Sequence, residues 1–246
     1  MTDQPYLSII IPAHNEEQRL PQTLEQTADF LNQQAYAGEI VVVENGSSDR
    51  TLEIAQDYAR RMPMLRVLHS DQRGKGLAVK TGMLAARGTY RFFADADLSM
   101  PIAEVNRFIP PALPGVEVAI GSREAPGAVR YNEPQYRHLT GRVFNTIVRL
   151  LALPGLEDTQ CGFKCFRGDI ADEVFPLQTI TGWSFDVEVL FIARRRGYHI
   201  TEVGIPWHFN AGTKVRVLHD SLRMFLDLLN IRRNGWAGRY GPARHA

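Results

Sequence analysis

The chain has 246 residues, 44% of them apolar and 22% charged, which excludes disordered and fibrous classes and leaves length for a full core. Lys plus Arg number 28 against 27 Asp plus Glu, and a formal net charge of +1 argues against a nucleic-acid binder. No apolar run reaches the roughly 18 residues that span a bilayer, and Met1-Thr2-Asp3-Gln4-Pro5 lacks the basic and apolar regions of a signal peptide, so a cytoplasmic protein is expected.

In chain order, Leu7–Ile11 is a β-branched run ended by Pro12 and reads as a buried strand. Residues 19–32 carry Leu20, Leu24, Ala28 and Leu31 at helical spacing. Residues 39–43 form a second strand, and Asp49 is placed to cap a helix with Leu52, Ile54, Ala55 and Tyr58 on its apolar side. A strand at 65–68, a helix at 76–86 and a strand at 90–94 follow. The second half reads as a strand at 116–120, a mobile Pro- and Gly-rich loop at 125–134 and a helix at 136–151. A strand at 162–166, a helix at 183–195, a strand at 199–206 and a final helix at 215–231 complete it. Cys161 and Cys165 lie four apart on one strand, about 13 Å along it, so they are expected as buried free thiols.

Strands alternating with helices imply right-handed crossovers and an α/β fold with a mostly parallel central sheet in three layers. Ligands in such sheets sit at the carboxyl ends of the strands. Three polar clusters fall there: Pro12-Ala13-His14-Asn15-Glu16, Glu44-Asn45-Gly46-Ser47 and Asp95-Ala96-Asp97. Asp95 and Asp97, two apart at a strand end, fall on one face and suit Mg²⁺ or Mn²⁺, with Ser99 as a third oxygen. Glu16 and Glu44 can accept from a ribose hydroxyl or a base N–H. Gly74-Lys75-Gly76 ahead of a helix lets backbone and an ammonium approach a phosphate. The spacing is not that of a Walker A loop, and no Gly-x-Gly-x-x-Gly follows the first strand, which argues against a dehydrogenase.

Six stretches in order carry a resemblance to a known family: 12–16, Arg73-Gly74-Lys75-Gly76, Ala94–Ser99, Gly121-Ser122-Arg123, 158–164 and Trp183–Glu188. The chain resembles the family 2 glycosyltransferases of GT-A fold, and within them the branch that loads sugars onto dolichyl and other polyprenyl phosphates. The likeness implies that Pro12, Ala13, Asn15 and Glu16 hold a nucleotide sugar, that Asp95 contacts the nucleotide or metal, and that Asp97 binds the metal. Ala96, Glu44 and Asn45 belong to the same expected donor site. The family usually has Asp-Asp-Gly-Ser where this chain has Glu44-Asn45-Gly46-Ser47, which leaves the base, uridine or guanosine, open. Ser99 stands where the mannosyl branch often has a glutamine ligand.

The implied reaction is inverting transfer, with UDP-glucose as the expected donor and a polyprenyl phosphate as acceptor. A phosphate monoester is largely ionised at pH 7, so it needs cations more than a base. Arg123, Lys164 and Lys214 are the candidates for clamping phosphate, with Arg130 and Arg137 behind them. Asp186 is a candidate base, or an orienter of a donor hydroxyl. Two alternatives stand beside this reading. One is a family 2 transferase with a soluble hydroxyl acceptor, which would depend on Asp186. The other is an inert nucleotide-sugar-binding module, for which Asn45 speaks.

The whole chain, 1–246, reads as one GT-A domain with a basic amphipathic segment at 210–246. From Asn210 onward seven Lys and Arg stand against Asp220 and Asp227. Leu218, Leu222, Phe225 and Leu229 make an apolar stripe flanked by Arg216, Arg223, Arg232 and Arg233. That pattern fits an interfacial helix on the cytoplasmic face of a membrane or a helix packed on the sheet, with Trp236 and Tyr240 as expected anchors.

Overall fold

The computed structural model describes residues 4–210 and 217–242, with backbone alone at 135–137, 139–140, 144 and 217–222. Its strands are β1 (Leu7–Ala13), β2 (Gly38–Asn45), β3 (Leu65–Ser70), β4 (Tyr90–Ala94), β5 (Val118–Ser122), β6 (Val129–Tyr131), β7 (Phe163–Arg167), β8 (Ile200–Gly204) and β9 (Pro206–His208). Its helices are α1 (Leu20–Asn32), α2 (Thr51–Arg61), α3 (Lys75–Ala85), α4 (Gln135–Leu151), α5 (Gly168–Val174), α6 (Phe185–Arg195) and α7 (Val217–Trp236). Short 3₁₀ turns occupy Ile102–Phe108 and Phe175–Leu177.

Seven strands form one sheet in the order β3-β2-β1-β4-β7-β5-β8. Every neighbouring pair is parallel except those made by β7, which runs against both β4 and β5. The apolar runs Ile9-Ile10-Ile11 and Val41-Val42-Val43 are continuous because both sheet faces are covered. Ile9, Ile11 and Val42 point to the face packed by α1, Ala55 of α2 and Phe108. Ile10, Val41 and Val43 point to the face packed by α3, α5, α6 and the end of α7. The alternation follows from the two-residue period of a strand. Asp49, expected as the cap of α2, stands one residue before that position: its carboxylate accepts the Thr51 N–H at 3.0 Å, but Arg50 occupies the N-cap of α2 and no side chain caps the helix there. Cys161 and Cys165 are buried free thiols.

The mostly parallel sheet is as expected, with one reversed strand, while the loop at 125–134 and the C-terminal segment are corrected. Residues 125–134 contain β6, which pairs in parallel with β9, placing Arg130 beside Trp207 and Tyr131 beside His208. The reversed β7 was not foreseen, because strand direction is not encoded in local periodicity. The last helix continues to Trp236, and Tyr240 beyond it is fully buried rather than an interfacial anchor. Trp236, by contrast, is 77% exposed.

Helix α7 meets three environments at helical spacing. Leu228, Ile231 and Gly235 are buried, with Leu228 and Ile231 in the core. Phe225, Leu226, Leu229 and Trp236 are exposed. Arg223, Asp227, Asn230 and Asn234 line a cleft. The side chains of Leu218 and Leu222 lie outside the described residues. Helix α4 lies against α7 and exposes Val143 and Leu150. No helix among the described residues is long and apolar enough to cross a membrane.

Helix α3 reaches the sheet through Gly82, where a Cβ would stand 2.4 Å from Ile10 Cγ2 and 2.9 Å from Val43 Cγ2. Gly82→Ala is therefore expected to lose stability by about 1–3 kcal/mol through overpacking, against the usual gain from a helical Gly→Ala change. Chemical denaturation of the two proteins measures it.

Candidate active site

At the carboxyl ends of β1, β2 and β4 lies a cleft of about 1120 Å³. Its sheet-edge wall is built from Pro12, Glu16, Asn45, Gly74, Lys75 and the turn Asp95-Ala96-Asp97 with Ser99. The far wall is α7, and Arg123, Arg130 and Trp207 line the side made by the second half of the sheet.

Asp95 is the most constrained residue of the site. Lys75 Nζ lies 2.6 Å from Asp95 Oδ1. A Cβ on Gly162 would fall 2.0 Å from Asp95 Oδ2, so the carboxylate fills the space that only glycine leaves. The Asp95 N–H donates to Gly162 O at 3.1 Å, an extension of the antiparallel contact between β4 and β7. The turn closes through Leu98 N–H to Asp95 O, and Leu98 holds φ +42°, a conformation that non-glycine residues rarely adopt. Asp97 Oδ1 accepts the Ser99 N–H at 3.0 Å, and its second oxygen has no hydrogen-bond donor among the described residues.

Lys75 begins α3, and its ammonium also stands 5.5 Å from the centre of the Trp183 ring. Burial pulls its pKa down, but Asp95, Asp186 and Asp97 outweigh that and hold it above the ordinary lysine value. The flanking glycines answer to packing. A Cβ on Gly74, which has φ +151°, would sit 2.5 Å from Thr181 O, and one on Gly76 would sit 2.6 Å from Phe185 Cβ. Gly76 is buried and does not line the cleft, so its expected phosphate contact is withdrawn.

Glu44 is also relocated. It is 1% exposed, with one oxygen accepting the Ser47 N–H at 2.6 Å and the other 2.5 Å from His69 Nδ1. The parallel register of β2 and β3 brings Glu44 and His69 together below the cleft. His69 is raised above the usual imidazole pKa, chiefly by its bond to Glu44. Ala13 is fully buried in the core. Asn15, at φ +52°, ties the first loop to the second, its Oδ1 accepting the Ser48 N–H at 2.8 Å. Neither Ala13 nor Asn15 lines the cleft.

The expected phosphate clamps are engaged elsewhere. Lys164 is fully buried, its ammonium 2.5 Å from Asp186 Oδ1 and also donating to Cys161 O. It does not line the cleft, whereas Asp186 does. Burial pushes the Asp186 carboxyl up, while the Lys164 and Lys75 ammoniums oppose that rise. Arg123 lines the cleft but forks onto the fully buried Asp158 at 2.6 and 2.8 Å. Its guanidinium lies 5.3 Å from the Trp207 ring, and Arg130 lies 5.9 Å from the same ring. Arg130 in turn is paired with Glu124 and Glu133. Lys214 lies outside the described residues.

The cleft arginines without an ion-pair partner among the described residues include Arg73 and, on the C-terminal wall, Arg223, Arg233 and Arg239. Sequence reasoning singled out no cleft role for this wall, nor for Trp207 and Asn145. The readable signal was the polar spacing of Arg223, Asp227, Asn230 and Asn234, which repeats at i, i+4, i+7 and i+11. His208 stacks on Tyr131, 4.4 Å between ring centres.

A model of glycosyl transferase family 2 matches residues 8–175, and the chain belongs to that family of glycosyltransferases. A dolichyl-phosphate beta-glucosyltransferase of Dictyostelium discoideum is 34% identical over 94% of this chain and 75% of its own length. Enzymes of the same name from Saccharomyces cerevisiae and Homo sapiens are 34% and 32% identical, each over 92% of this chain and 74% of theirs. Among solved structures, glucosyl-3-phosphoglycerate synthase of Mycobacterium tuberculosis, with Mn²⁺, uridine diphosphate and phosphoglyceric acid, superposes with TM-score 0.64. It is 19% identical and covers 98% of this chain and 80% of its own. Mannosyl-3-phosphoglycerate synthase of Rubrobacter xylanophilus gives 0.68 at 17% identity, covering 98% and 77%. These neighbours establish the GT-A fold.

The Arg123–Asp158 fork carries a pH signature. Burial raises the Asp158 carboxyl, but the Arg123 charge and its hydrogen bonds outweigh that and bring it to about 2, against 3.8 ordinarily. The unfolded chain therefore binds the proton first as pH falls. The stabilisation is full above about pH 4 and is lost as pH drops toward 2, about 2–3 kcal/mol in all. Asp158→Asn is expected to abolish that part of the acid slope. It also costs about 3–5 kcal/mol at neutral pH by leaving Arg123 unpaired. Denaturant titrations from pH 2 to 7 check both.

Proposed function

We propose that the chain transfers glucose from UDP-glucose, with inversion, to dolichyl phosphate or a related polyprenyl phosphate at a membrane surface. The observation that carries this is the polarity of the cleft: paired carboxylates on the sheet edge face a C-terminal wall bearing Arg223, Arg233 and Arg239. The names of the relatives supply the sugar and the lipid class. The uridine diphosphate held by a neighbour of this fold supports the nucleotide.

Donor binding is assigned to Pro12, Glu16, Asn45, Gly74, Lys75, Asp95 and Ala96. Asp95, Asp97 and Ser99 offer hard oxygen donors of the type Mg²⁺ and Mn²⁺ take. The described residues hold no cluster of three or more His, Cys, Asp or Glu suited to a metal, so diphosphate oxygens and water would complete the shell. A bound divalent ion supplies charge neutralisation of the leaving diphosphate. Lys75 stands beside Asp95 on the same wall to share that charge.

The acceptor phosphate is assigned to Arg223, Arg233 and Arg239, because Arg123 and Lys164 are already neutralised by Asp158 and Asp186. An ionised phosphate attacks without a general base. Asp186, committed to Lys164, serves as an anchor and a candidate contact to a sugar hydroxyl. This assignment argues against the soluble-hydroxyl alternative, which needs Asp186 as a base. The exposed Phe225, Leu229 and Trp236 of α7, with Val143 and Leu150 of α4, form the surface assigned to lipid. The lipid tail can then stay in the bilayer while its phosphate enters the cleft.

Labelled UDP-glucose with Mn²⁺ and a polyprenyl phosphate should give organic-extractable label; absence of transfer from any nucleotide sugar would sink the proposal. Asp97→Ala should cut this activity by about 10²–10³-fold while lowering the melting temperature only slightly, since the one hydrogen bond its side chain makes among the described residues is to the Ser99 N–H. Arg223→Ala and Arg233→Ala should each raise the KM for the lipid phosphate about 10-fold while leaving UDP affinity alone. Steady-state kinetics with both substrates varied, beside calorimetric UDP titration, separates these effects.

A further inference from the structure

The carboxylate of Glu188, fully buried in the first turn of α6, serves no role in the chemistry above and is fully occupied. Its Oε2 accepts the N–H groups of Thr179 and Ile180 at 2.9 and 2.7 Å. Its Oε1 accepts the Thr179 hydroxyl at 2.6 Å and the Tyr240 hydroxyl at 2.7 Å. Asn234 Nδ2 donates to the same Tyr240 oxygen at 3.3 Å, so three residues from two distant parts of the chain meet on one acid.

What Glu188 holds is the support of the donor wall. Residues 179–183 line the cleft. Thr181 O occupies the space beside Gly74 and accepts the Leu77 N–H at 3.3 Å. Ile180 O lies 2.7 Å from where a Gly76 Cβ would be. Trp183 lies under the Lys75 ammonium. The first turn of α3, and with it the Lys75–Asp95 pair, rests on this segment. Tyr240 contributes nothing to the cleft directly: it is fully buried and does not line it.

We propose that Tyr240 is a positioning residue for the donor half of the cleft, acting through Glu188 on the 179–183 segment and so on Lys75. The inference rests on the reading of that wall as a nucleotide-diphosphate site. Its consequence is that the tail beyond α7, remote in sequence from the donor motifs, sets donor affinity.

The test uses the full chain. Tyr240→Phe keeps the ring and removes two hydrogen bonds, the one to Glu188 and the one from Asn234; Glu188→Gln keeps the shape and reduces the acceptors. UDP affinity by calorimetry and donor KM should both weaken about 3- to 10-fold in Tyr240→Phe, with the lipid-phosphate KM unchanged. The Tyr240→Phe/Glu188→Gln double variant should be no weaker in UDP binding than Glu188→Gln alone, because both act along one path. A lowered melting temperature with unaltered UDP affinity in Tyr240→Phe would overturn the inference, as would additive losses in the double variant. If Tyr240→Phe does not fold, unaltered UDP affinity in Glu188→Gln overturns it. Wild-type protein that binds no UDP at all takes down the donor reading itself, and this inference with it, so the two failures are told apart.

Discussion

The carboxylate of Asp95 is wedged between the Lys75 ammonium and the bare α-carbon of Gly162, and three elements depend on that contact. It fixes the end of β4, the start of β7 and the first turn of α3 relative to one another. A longer side chain at position 95 or any side chain at 162 would part the strands where they meet. The charge of Lys75 makes the wedge electrostatic as well as steric. Two ions this close and partly withdrawn from water repay their desolvation only with good geometry, which the Gly162 cradle supplies.

The remaining charges of the cleft sort into spent and available ones. Lys164 is the most buried cation of the region and Arg123 is partly buried, and each is matched to a buried acid. Their work is to carry the sheet edge: Lys164 joins β7 to α6, and Arg123 joins the end of β5 to the 158–162 turn. A charge used this way is unavailable for a ligand unless its partner is given up, at a cost of several kcal/mol. The arginines of the α7 side are exposed and have no ion-pair partner among the described residues, so under the proposed function an incoming dianion meets them without displacing an internal acid.

Much of this was readable from the chain. Strands buried on both faces announce themselves as β-branched runs, and the rule that ligands gather at strand ends led directly to Pro12, Glu16, Asn45 and the Asp95–Asp97 turn. Other features depend on partners far away in sequence. Glu44 looked like a donor contact because it follows a strand; only its register against His69 turns it inward. Arg123 and Lys164 looked like phosphate ligands because nothing local reveals Asp158 or Asp186 as their counterions. The pairing of β6 with β9, three residues each, is too short to leave a periodic trace. The polar stripe of α7 was hidden because its apolar stripe is the stronger signal.

The reversal of β7 has an architectural result. The strands of residues 7–94 build a wholly parallel unit whose carboxyl edge lines the cleft, and the rest of the chain joins it in the sheet through one antiparallel seam, β4 against β7. The two parts are nevertheless interlocked, because Gly162 beyond the seam cradles Asp95 and the backbone of Ile180 and Thr181 packs against the first turn of α3.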